Sequence, residues 1–341
     1  MGVDLGGLVP KKVVEFEDLP KTSVAIDGYN ALYQFLSVIR QPDGSPLVNE
    51  RGEVTSHLQG LFNRTTRLLE HGITPIYVFD GRIIPLKEKE LKARKERREL
   101  ADKEAKIALA TGDLRRAYTK AIQSTSLSRV MAEQAKKLLR LLGVATVDAP
   151  YEGEAQAAKI VIDGKAEFCA SQDYDSLLFG APRLIRNLTL AGRRRLPYGK
   201  GFVEVKPELI LLSDVLSELG LTRLQLIEIG VLLGTDYNAG FKGIGPKTAY
   251  KLIKQRGGLN AALAAKGLRA DYDLEAILAE FLNPRVSGDY DVTHGKLDRE
   301  AVIQMLCEEN GFSLERVSAS LNRLEKVFKS ANNQPSLEKW F

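Results

Sequence analysis

Short apolar runs alternate with longer stretches of helical periodicity along the first two-thirds of the chain. Residues 23–27, 75–80, 144–147 and 168–170 are apolar and rich in β-branched or aromatic side chains, which predicts four buried strands. Because helical patterns separate these runs, the order of elements is typical of an α/β fold with a mostly parallel central sheet flanked by helices.

The helical stretches carry apolar residues three and four positions apart and end at glycines. After the first strand, Leu32 and Phe35 belong to one such face. A second helix is expected to begin after Thr55 as its N-cap and to close at Gly72. A third spans residues 154–163, with Gly164 as the residue after its C-cap.

The second half of the chain is predicted to be mainly helical from residue 207 onward. Before that point, residues 182–190 and 201–205 are expected to form two strands around a basic hairpin tip. Residues 41–52 are rich in Pro, Asp, Gly and Asn, which indicates a loop.

Composition places the chain among ordinary globular proteins, with 44% hydrophobic and 27% charged residues over 341 positions. The two cysteines, Cys169 and Cys307, exclude a disulfide framework and a zinc ribbon and fit a reducing compartment. No apolar run approaches membrane-spanning length, and the N-terminus has no apolar signal core. We therefore expect a cytoplasmic protein. Three scattered histidines make histidine acid–base chemistry an unpromising hypothesis.

The positive charge of the chain is concentrated in residues 87–140. This region holds 16 Lys and Arg against 8 Asp and Glu, a net of +8, whereas the whole chain is +5. Its first half is helix-prone with opposite charges four residues apart, and a solvated helix is one interpretation. A basic helical flap beside an acidic site is the other, and it suits a phosphodiester substrate.

Carboxylates follow each of the four predicted strands. A parallel sheet gathers such residues at one edge, where α/β proteins bind ligands. Each could be a helix cap, but capping needs one acid per helix and not a pair. Clustered carboxylates repel one another unless a cation neutralises them, and oxygen ligands suit Mg²⁺ or Mn²⁺. The acids are Asp27, Asp80, Glu152, Glu154, Asp173 and Asp175, and a seventh, Asp236, follows the predicted helix at 224–233.

Two further motifs point to partners. The run Gly243-Ile244-Gly245-Pro246-Lys247 between two helices indicates a helix–hairpin–helix element, since the free amides of a helix start bind phosphate, although a plain helix connection is also possible. At the C-terminus, a polar stretch precedes Leu337, Trp340 and Phe341, spaced to share one side of a helical turn, which is typical of docking into a partner's groove.

Together these residues resemble the flap endonuclease family of structure-specific 5′ nucleases over nearly the whole chain. The resemblance is carried by Val-Ala-Ile-Asp, Tyr-Val-Phe-Asp-Gly, Asp-Ala-Pro-Tyr-Glu-Gly-Glu-Ala, Ser-Gln-Asp-Tyr-Asp, Leu-Leu-Gly-Thr-Asp-Tyr and Gly-Ile-Gly-Pro-Lys, in this order. Gln172 and Gly153 stand where many relatives carry an acid and an alanine. The short insert after Asp80 and the end of the chain at the tail motif make it similar to archaeal members.

The resemblance implies a PIN-like 5′ nuclease core with a helical arch and a helix–hairpin–helix element. It divides the chain into an N-terminal nuclease region (1–98), an arch or linker (99–140), an internal nuclease region including the helix–hairpin–helix (116–258), a C-terminal helical region (259–329) and a clamp-binding tail (330–341). The implied activity is removal of 5′ flaps at flap–duplex junctions, with 5′-3′ exonuclease activity, in replication and repair.

The resemblance also assigns roles to residues of this chain. The seven acids would hold two Mg²⁺ ions, with Mn²⁺ as an alternative, and a K⁺ ion would sit at the helix–hairpin–helix. Lys87 and Arg94 would stabilise the scissile phosphate. The DNA-binding residues would be Tyr33, Arg40, Arg64, Glu152, Gly234, Asp236, Gly243, Gly245 and Lys247. Binding to the sliding clamp PCNA would use Gln334, Leu337, Trp340 and Phe341, with the nuclease itself a monomer associated with the nucleoid.

Two other functions remain open at this point. A phosphotransferase of the dehalogenase type would use Asp27 or Asp80 as a nucleophile, but it requires Asp-x-Asp at the first strand, and Asp27 is followed by Gly28-Tyr29. A DNA-binding scaffold without catalysis would use the tail and the hairpin element, and it leaves the carboxylate clusters without a role.

Overall fold

The computed structural model describes residues 2–19, 21–41, 43–195 and 201–332. Its core is a seven-stranded sheet, and a two-stranded sheet lies beside it. The strands are β1 (Lys12–Val13), β2 (Ser23–Asp27), β3 (Thr74–Phe79), β4 (Ala145–Asp148), β5 (Phe168–Ala170), β6 (Arg183–Arg186), β7 (Gly192–Arg195), β8 (Phe202–Val205) and β9 (Glu208–Leu211).

Helices cover both faces of the sheet and make up most of the remaining chain. They are α1 (Gly28–Val38), α2 (Ser56–Glu70), α3 (Glu88–Ala110), α4 (Leu114–Gln123), α5 (Arg129–Leu141), α6 (Gly153–Ile162), α7 (Asp175–Leu178), α8 (Leu212–Leu219), α9 (Arg223–Leu233), α10 (Pro246–Arg256), α11 (Leu259–Lys266), α12 (Leu274–Leu282), α13 (Arg299–Ile303) and α14 (Leu314–Asn332). A π-helical turn at Gln304–Glu308 continues α13.

The order of strands in the large sheet is β1-β9-β6-β5-β2-β3-β4. Strands β6, β5, β2, β3 and β4 run parallel to one another, whereas β9 is antiparallel to both β6 and β1. The four strands predicted from apolar runs therefore form the centre of the sheet, and their carboxyl ends share one edge. This confirms the predicted α/β fold.

The sheet separates two hydrophobic clusters. One includes Ala25, Val78 and Cys169 on the side of α6, α9 and α10. The other includes Ile26 and Tyr77, on the side of α1, α2, α5 and α14. Because successive strand residues point to opposite faces, both clusters depend on strands that are apolar throughout.

The basic region folds into α3, α4 and α5. Helices α3 and α4 form an antiparallel pair joined at Gly112, where φ is +76°. Only Ala101 and Ala108 of α3 are buried, so this long helix has almost no core-facing stripe. We call the α3–α4 pair, together with Lys87 at the N-cap of α3, the arch.

One prediction of local structure is wrong, and one strand was missed. The expected strand at 182–190 ends at Arg186, because Asn187 adopts a left-handed conformation (φ 62°) and a 3-10 turn follows, so the hairpin strands are Gly192–Arg195 and Phe202–Val205. The hairpin tip, 196–200, lies outside the described residues. The chain from residue 207 onward is mainly helical, as predicted, but residues 208–211 form a strand that was missed, since a short apolar run has no distinctive period.

Glycines and caps elsewhere agree with the prediction. Gly72 and Gly164 both have positive φ directly after their helices. Thr55 occupies the expected N-cap position of α2, but its side chain makes no capping hydrogen bond. Within the described ranges, no helix is both long and apolar enough to cross a membrane.

Candidate metal-dependent nuclease site

The seven predicted carboxylates converge at the carboxyl edge of the sheet. Asp27 ends β2, Asp80 follows β3, Glu152 and Glu154 lie at the start of α6 after β4, and Asp173 and Asp175 follow β5. Asp236 comes from the loop after α9. Neighbouring carboxylates raise the pKa values of Asp27, Glu152, Glu154 and Asp175, and the neighbours that do so include Asp80, Asp173 and Asp236, so all seven lie around one cleft. The strand order thus confirms the prediction that these carboxylates lie near one another at one edge of the sheet.

Backbone hydrogen bonds fix several of these side chains. The Asp27 carboxylate accepts from the amide of Asn30 (2.9 Å) and so caps α1. Asp80 accepts from the amide of Gly153 (2.7 Å), which ties the β3 loop to the first turn of α6. Asp175 accepts from the amide of Val3 (2.8 Å), which brings the N-terminal segment to the cleft. Asp27 and Asp80 therefore accept amides at the starts of helices and also belong to the carboxylate cluster.

Side-chain hydrogen bonds fix two more. Glu154 accepts from the hydroxyl of Ser171 (2.7 Å), and Asp173 accepts from the side-chain amide of Asn30 (3.1 Å). Asn30 is in turn bonded to Gln34, whose carbonyl accepts from the Thr189 hydroxyl (2.9 Å). The sequence reasoning missed Asn30, although its position three residues after Asp27 on α1 was a usable signal.

Burial together with like charge raises the pKa of several carboxyls. Burial and then the charges of Asp236 and Asp173 raise the pKa of Asp175 to about 8. Burial is also the main cause for Glu154, whose pKa lies well above its usual range, with Asp175 as the second cause. Burial raises the pKa of Glu152 to about 7, although Lys87 opposes the shift. Such a cluster lacks positive charge, which a divalent cation would supply.

Two arch residues partly supply that charge. The Lys87 amine bonds Glu152 and lies 3.0 Å from an oxygen of Asp236. Arg94 forms an ion pair with the same Asp236. Although burial opposes it, these two cations hold the pKa of Asp236 well below its usual range. The predicted placement of the basic arch against the acidic cleft is thus what the structure shows.

The chemistry of the cleft fits divalent metal ions. All seven groups are hard oxygen donors, and they outnumber Lys87 and Arg94, the two side chains of the described residues that form ion pairs with them. Within the described ranges, no three of these side chains stand close enough to enclose an ion as they are arranged. Lys87 lies between Glu152 and Asp236 and bonds both. Its amine is therefore a competitor for the position of a metal.

The residues expected at the DNA have varied environments. Tyr33 is half-buried, with the Arg98 guanidinium of α3 5.1 Å from its ring centroid. Arg40 donates to the carbonyls of Leu36 (2.9 Å) and Gly44 (2.6 Å) and also bonds Thr125. These contacts join α1 to the loop after it and to the end of α4.

Arg64 also has a structural bond. It donates to the carbonyl of Ala191 (2.8 Å), beside the matching bond of Arg67, at the base of the β7–β8 hairpin. Burial lowers the pKa of Arg64. In this structure Arg40 and Arg64 therefore bind the protein's own backbone, and their phosphate contacts stay a prediction.

The helix–hairpin–helix element lies between α9 and α10. Gly243 has φ +83° and Gly245 is the N-cap of α10, with Pro246 at the first helical position. Lys247 is exposed beside the open helix start. Gly234, also expected at the DNA, ends α9 with φ +104°. The four residues expected to bind the clamp, Gln334, Leu337, Trp340 and Phe341, lie outside the described residues.

Comparison with known proteins identifies the class. Residues 6–101 match the XPG N-terminal domain and residues 143–236 match the XPG I-region. A parallel sheet with a carboxylate-lined cleft and a basic arch is thus an XPG-type nuclease core.

Relatives that match over the whole chain assign the protein to one family within this class of nucleases. The chain is 50% identical to flap endonuclease 1 of Pyrococcus abyssi, covering 100% of this chain and 98% of the relative, and 47% identical to that of Methanosarcina barkeri over the full length of both. The solved flap endonuclease-1 of Methanococcus jannaschii superposes with a TM-score of 0.76 at 41% identity, over 97% of this chain and 100% of that one. The chain belongs to the flap endonuclease 1 family.

Proposed function

We propose that the protein is a structure-specific endonuclease that removes 5′ flaps from DNA at the flap–duplex junction and also acts as a 5′-3′ exonuclease, in Okazaki fragment processing and repair. The observation that carries the proposal is the cleft itself. Seven carboxylates from separate segments meet at one sheet edge, and two arch cations reach into it.

Two Mg²⁺ ions, or Mn²⁺ in their place, would be held by Asp27, Asp80, Glu152, Glu154, Asp173, Asp175 and Asp236. When bound, such ions activate a water and stabilise the charge that develops on the scissile phosphate and the departing oxygen. The surplus of carboxylates over cations in the cleft supports this assignment.

The protein's own residues position the DNA. Lys87 and Arg94 exchange their ion pairs with Glu152 and Asp236 for the phosphate oxygens of the flap, so the arch delivers positive charge to the scissile group. Tyr33, beside Arg98 of α3, presents an aromatic face on which a base stacks. Both actions align one phosphodiester with the carboxylates.

The duplex is held away from the cleft. The start of α10, where Gly245 and Lys247 are exposed, would bind backbone phosphate, and the helix–hairpin–helix element would hold a K⁺ ion that adds positive charge there. Backbone contacts of this kind fix register without reading sequence, which suits recognition of a branched shape.

Beyond the nuclease, the tail would bind the sliding clamp PCNA through Gln334, Leu337, Trp340 and Phe341, in a cytoplasmic protein that acts at the nucleoid as a monomer. The spacing of the three apolar residues supports one helical turn seated in a groove. Clamp binding measured on a surface with the full chain and with Trp340→Ala tests this; equal binding would refute it.

Cleavage of a labelled flap, with and without chelator, tests the main proposal. We expect chelator-sensitive cutting at the junction, and we expect Asp173→Asn and Asp80→Ala to retain flap binding while losing cleavage. A phosphoenzyme trapped on Asp27 would instead support a phosphotransferase. Flap binding without cutting under any metal would support a DNA-binding scaffold without catalysis. Metal-dependent cutting retained in either variant would refute the assignment of the metal site.

A further inference from the structure

An irregular segment runs along α6, the helix at whose start two of the proposed metal ligands lie. Residues 283–298 connect α12 to α13 without a helix or strand, and all of them are described. We call this segment the strap. It runs along α6, at whose start Glu152 and Glu154 lie.

Hydrogen bonds hold the strap along α6. The fully buried Gln156 donates its amide to the carbonyl of Ser287 (3.0 Å) and accepts from the amide of the same residue (2.8 Å). At the far end of the helix, the Tyr290 hydroxyl donates to the carboxylate of Asp163 (2.7 Å). The strap is therefore fixed to the middle and to the C-terminal end of α6.

At the N-terminal end, the contact is made by Arg285. Its guanidinium lies 5.0 Å from the ring centroid of Tyr151, the residue directly before Glu152. It also bonds Glu280 (3.1 Å), which is 5% exposed and whose second carboxylate oxygen has no partner among the described residues. The half-exposed Arg285 side chain is thus paired with a buried carboxylate on one side and lies over the Tyr151 ring on the other, and losing this pair would leave the Glu280 charge buried without its partner.

Backbone hydrogen bonds link Tyr151 and Pro150 to the loop that follows β3. Its carbonyl accepts from the amide of Gly81 (2.7 Å), and the Pro150 carbonyl accepts from the amide of Arg82 (3.0 Å). A β-carbon on Gly81 would lie 2.0 Å from the Ala149 carbonyl oxygen, so the two segments touch without space between them. Holding Tyr151 therefore holds both Glu152 and the loop of Asp80.

We propose that Arg285 is a positioning residue for the metal site: by fixing Tyr151 it sets the relation between Glu152 on α6 and Asp80 after β3. The inference rests on the metal site of the proposed function. Ligands held in place by their neighbours bind an ion more tightly, because less freedom is lost when the ion enters.

Calorimetric titration of the full chain with Mn²⁺, without DNA, tests the proposal. Residues that hold metal ligands in place typically change metal affinity by about tenfold or more when replaced, so we expect Arg285→Met to raise the Mn²⁺ dissociation constant by about tenfold. Tyr290→Phe is the matched control, since it removes a contact between the same strap and the other end of α6. It is expected to leave the dissociation constant within about twofold of the unaltered protein.

A second variant guards against loss of folding. Glu280→Gln together with Arg285→Met removes the cation without leaving a buried charge, and it should weaken Mn²⁺ binding as the single replacement does. In cleavage assays, added Mn²⁺ should restore kcat in both. Unchanged Mn²⁺ affinity in these variants, or an equal loss in Tyr290→Phe, would overturn the proposal. Cleavage by the unaltered protein is scored separately: its absence would refute the proposed function while the Mn²⁺ comparison still decides the role of Arg285.

Discussion

Replacing His57 with glutamine probes the buried contact between α2 and α5. His57 is fully buried, and its Nε2 bonds the side-chain carbonyl of Gln134 (3.0 Å). Its Nδ1 is buried without a partner among the described residues. A proton on Nδ1 would thus be an unpaired buried donor, and burial accordingly lowers the pKa of His57 to about 4 from the usual 6.5.

The sign of the pH effect follows from these two values. Between pH 6.5 and about 4 the unfolded chain binds a proton at His57 that the folded chain does not. Folding stability therefore falls as the pH falls through this window, and it levels off below it. By about pH 5 the loss from this one group is roughly 2 kcal/mol relative to about pH 7.5, at 1.36 kcal/mol per pKa unit.

Urea unfolding followed by circular dichroism measures the effect. The free energy of unfolding is determined at about pH 7.5 and about pH 5 for the unaltered protein and for His57→Gln. Other titrating groups contribute equally to both proteins and cancel in the comparison. We expect the unaltered protein to lose roughly 2 kcal/mol more than the variant on acidification. Equal losses would show that His57 is protonated in the folded state and would refute the reasoning.

Three further predictions use close contacts and charge. Gly60→Ala would place a β-carbon 2.3 Å from the ring of Phe35, so we expect a loss of about 1–3 kcal/mol in urea unfolding despite the better helix propensity of alanine; an unchanged or raised stability would contradict this. Gly81→Ala would place a β-carbon against the Ala149 carbonyl oxygen, so it should both destabilise the fold and abolish flap cleavage. Normal cleavage by this variant would show that residue 81 does not contact that carbonyl. Lys87→Met should tighten Mn²⁺ binding in calorimetry by removing the competing amine, while it slows cleavage; weaker Mn²⁺ binding would show that the amine does not compete.

The central strands and their terminal acids were predictable because each rests on a local pattern. A buried parallel strand is apolar throughout, and strand–helix alternation forces neighbouring strands to point the same way. Asp27 and Asp173 could therefore be assigned to one edge from the sequence alone. The arch was likewise visible as a charged helical stretch without an apolar stripe.

Errors arose where a single turn or a distant partner decides the structure. The left-handed Asn187 divides a run that has strand composition throughout, and no residue count reveals that turn. Residues 208–211 become a strand only because β6 and β1 offer hydrogen bonds on either side. The bonds of Arg40 and Arg64 to backbone carbonyls were likewise not visible in the sequence, and the phosphate contacts expected of these two residues stay a prediction.

The sequence by itself determined which carboxylates line the cleft, since periodicity and the end of a strand can be recognised from a few neighbouring residues. Only the tertiary structure decided which groups neutralise one another and what holds them. The ion pair of Lys87 with Asp236 spans 149 positions (236 − 87), and the strap reaches α6 from 131 positions away. Such contacts depend on how helices pack across the sheet, and no local pattern encodes that packing.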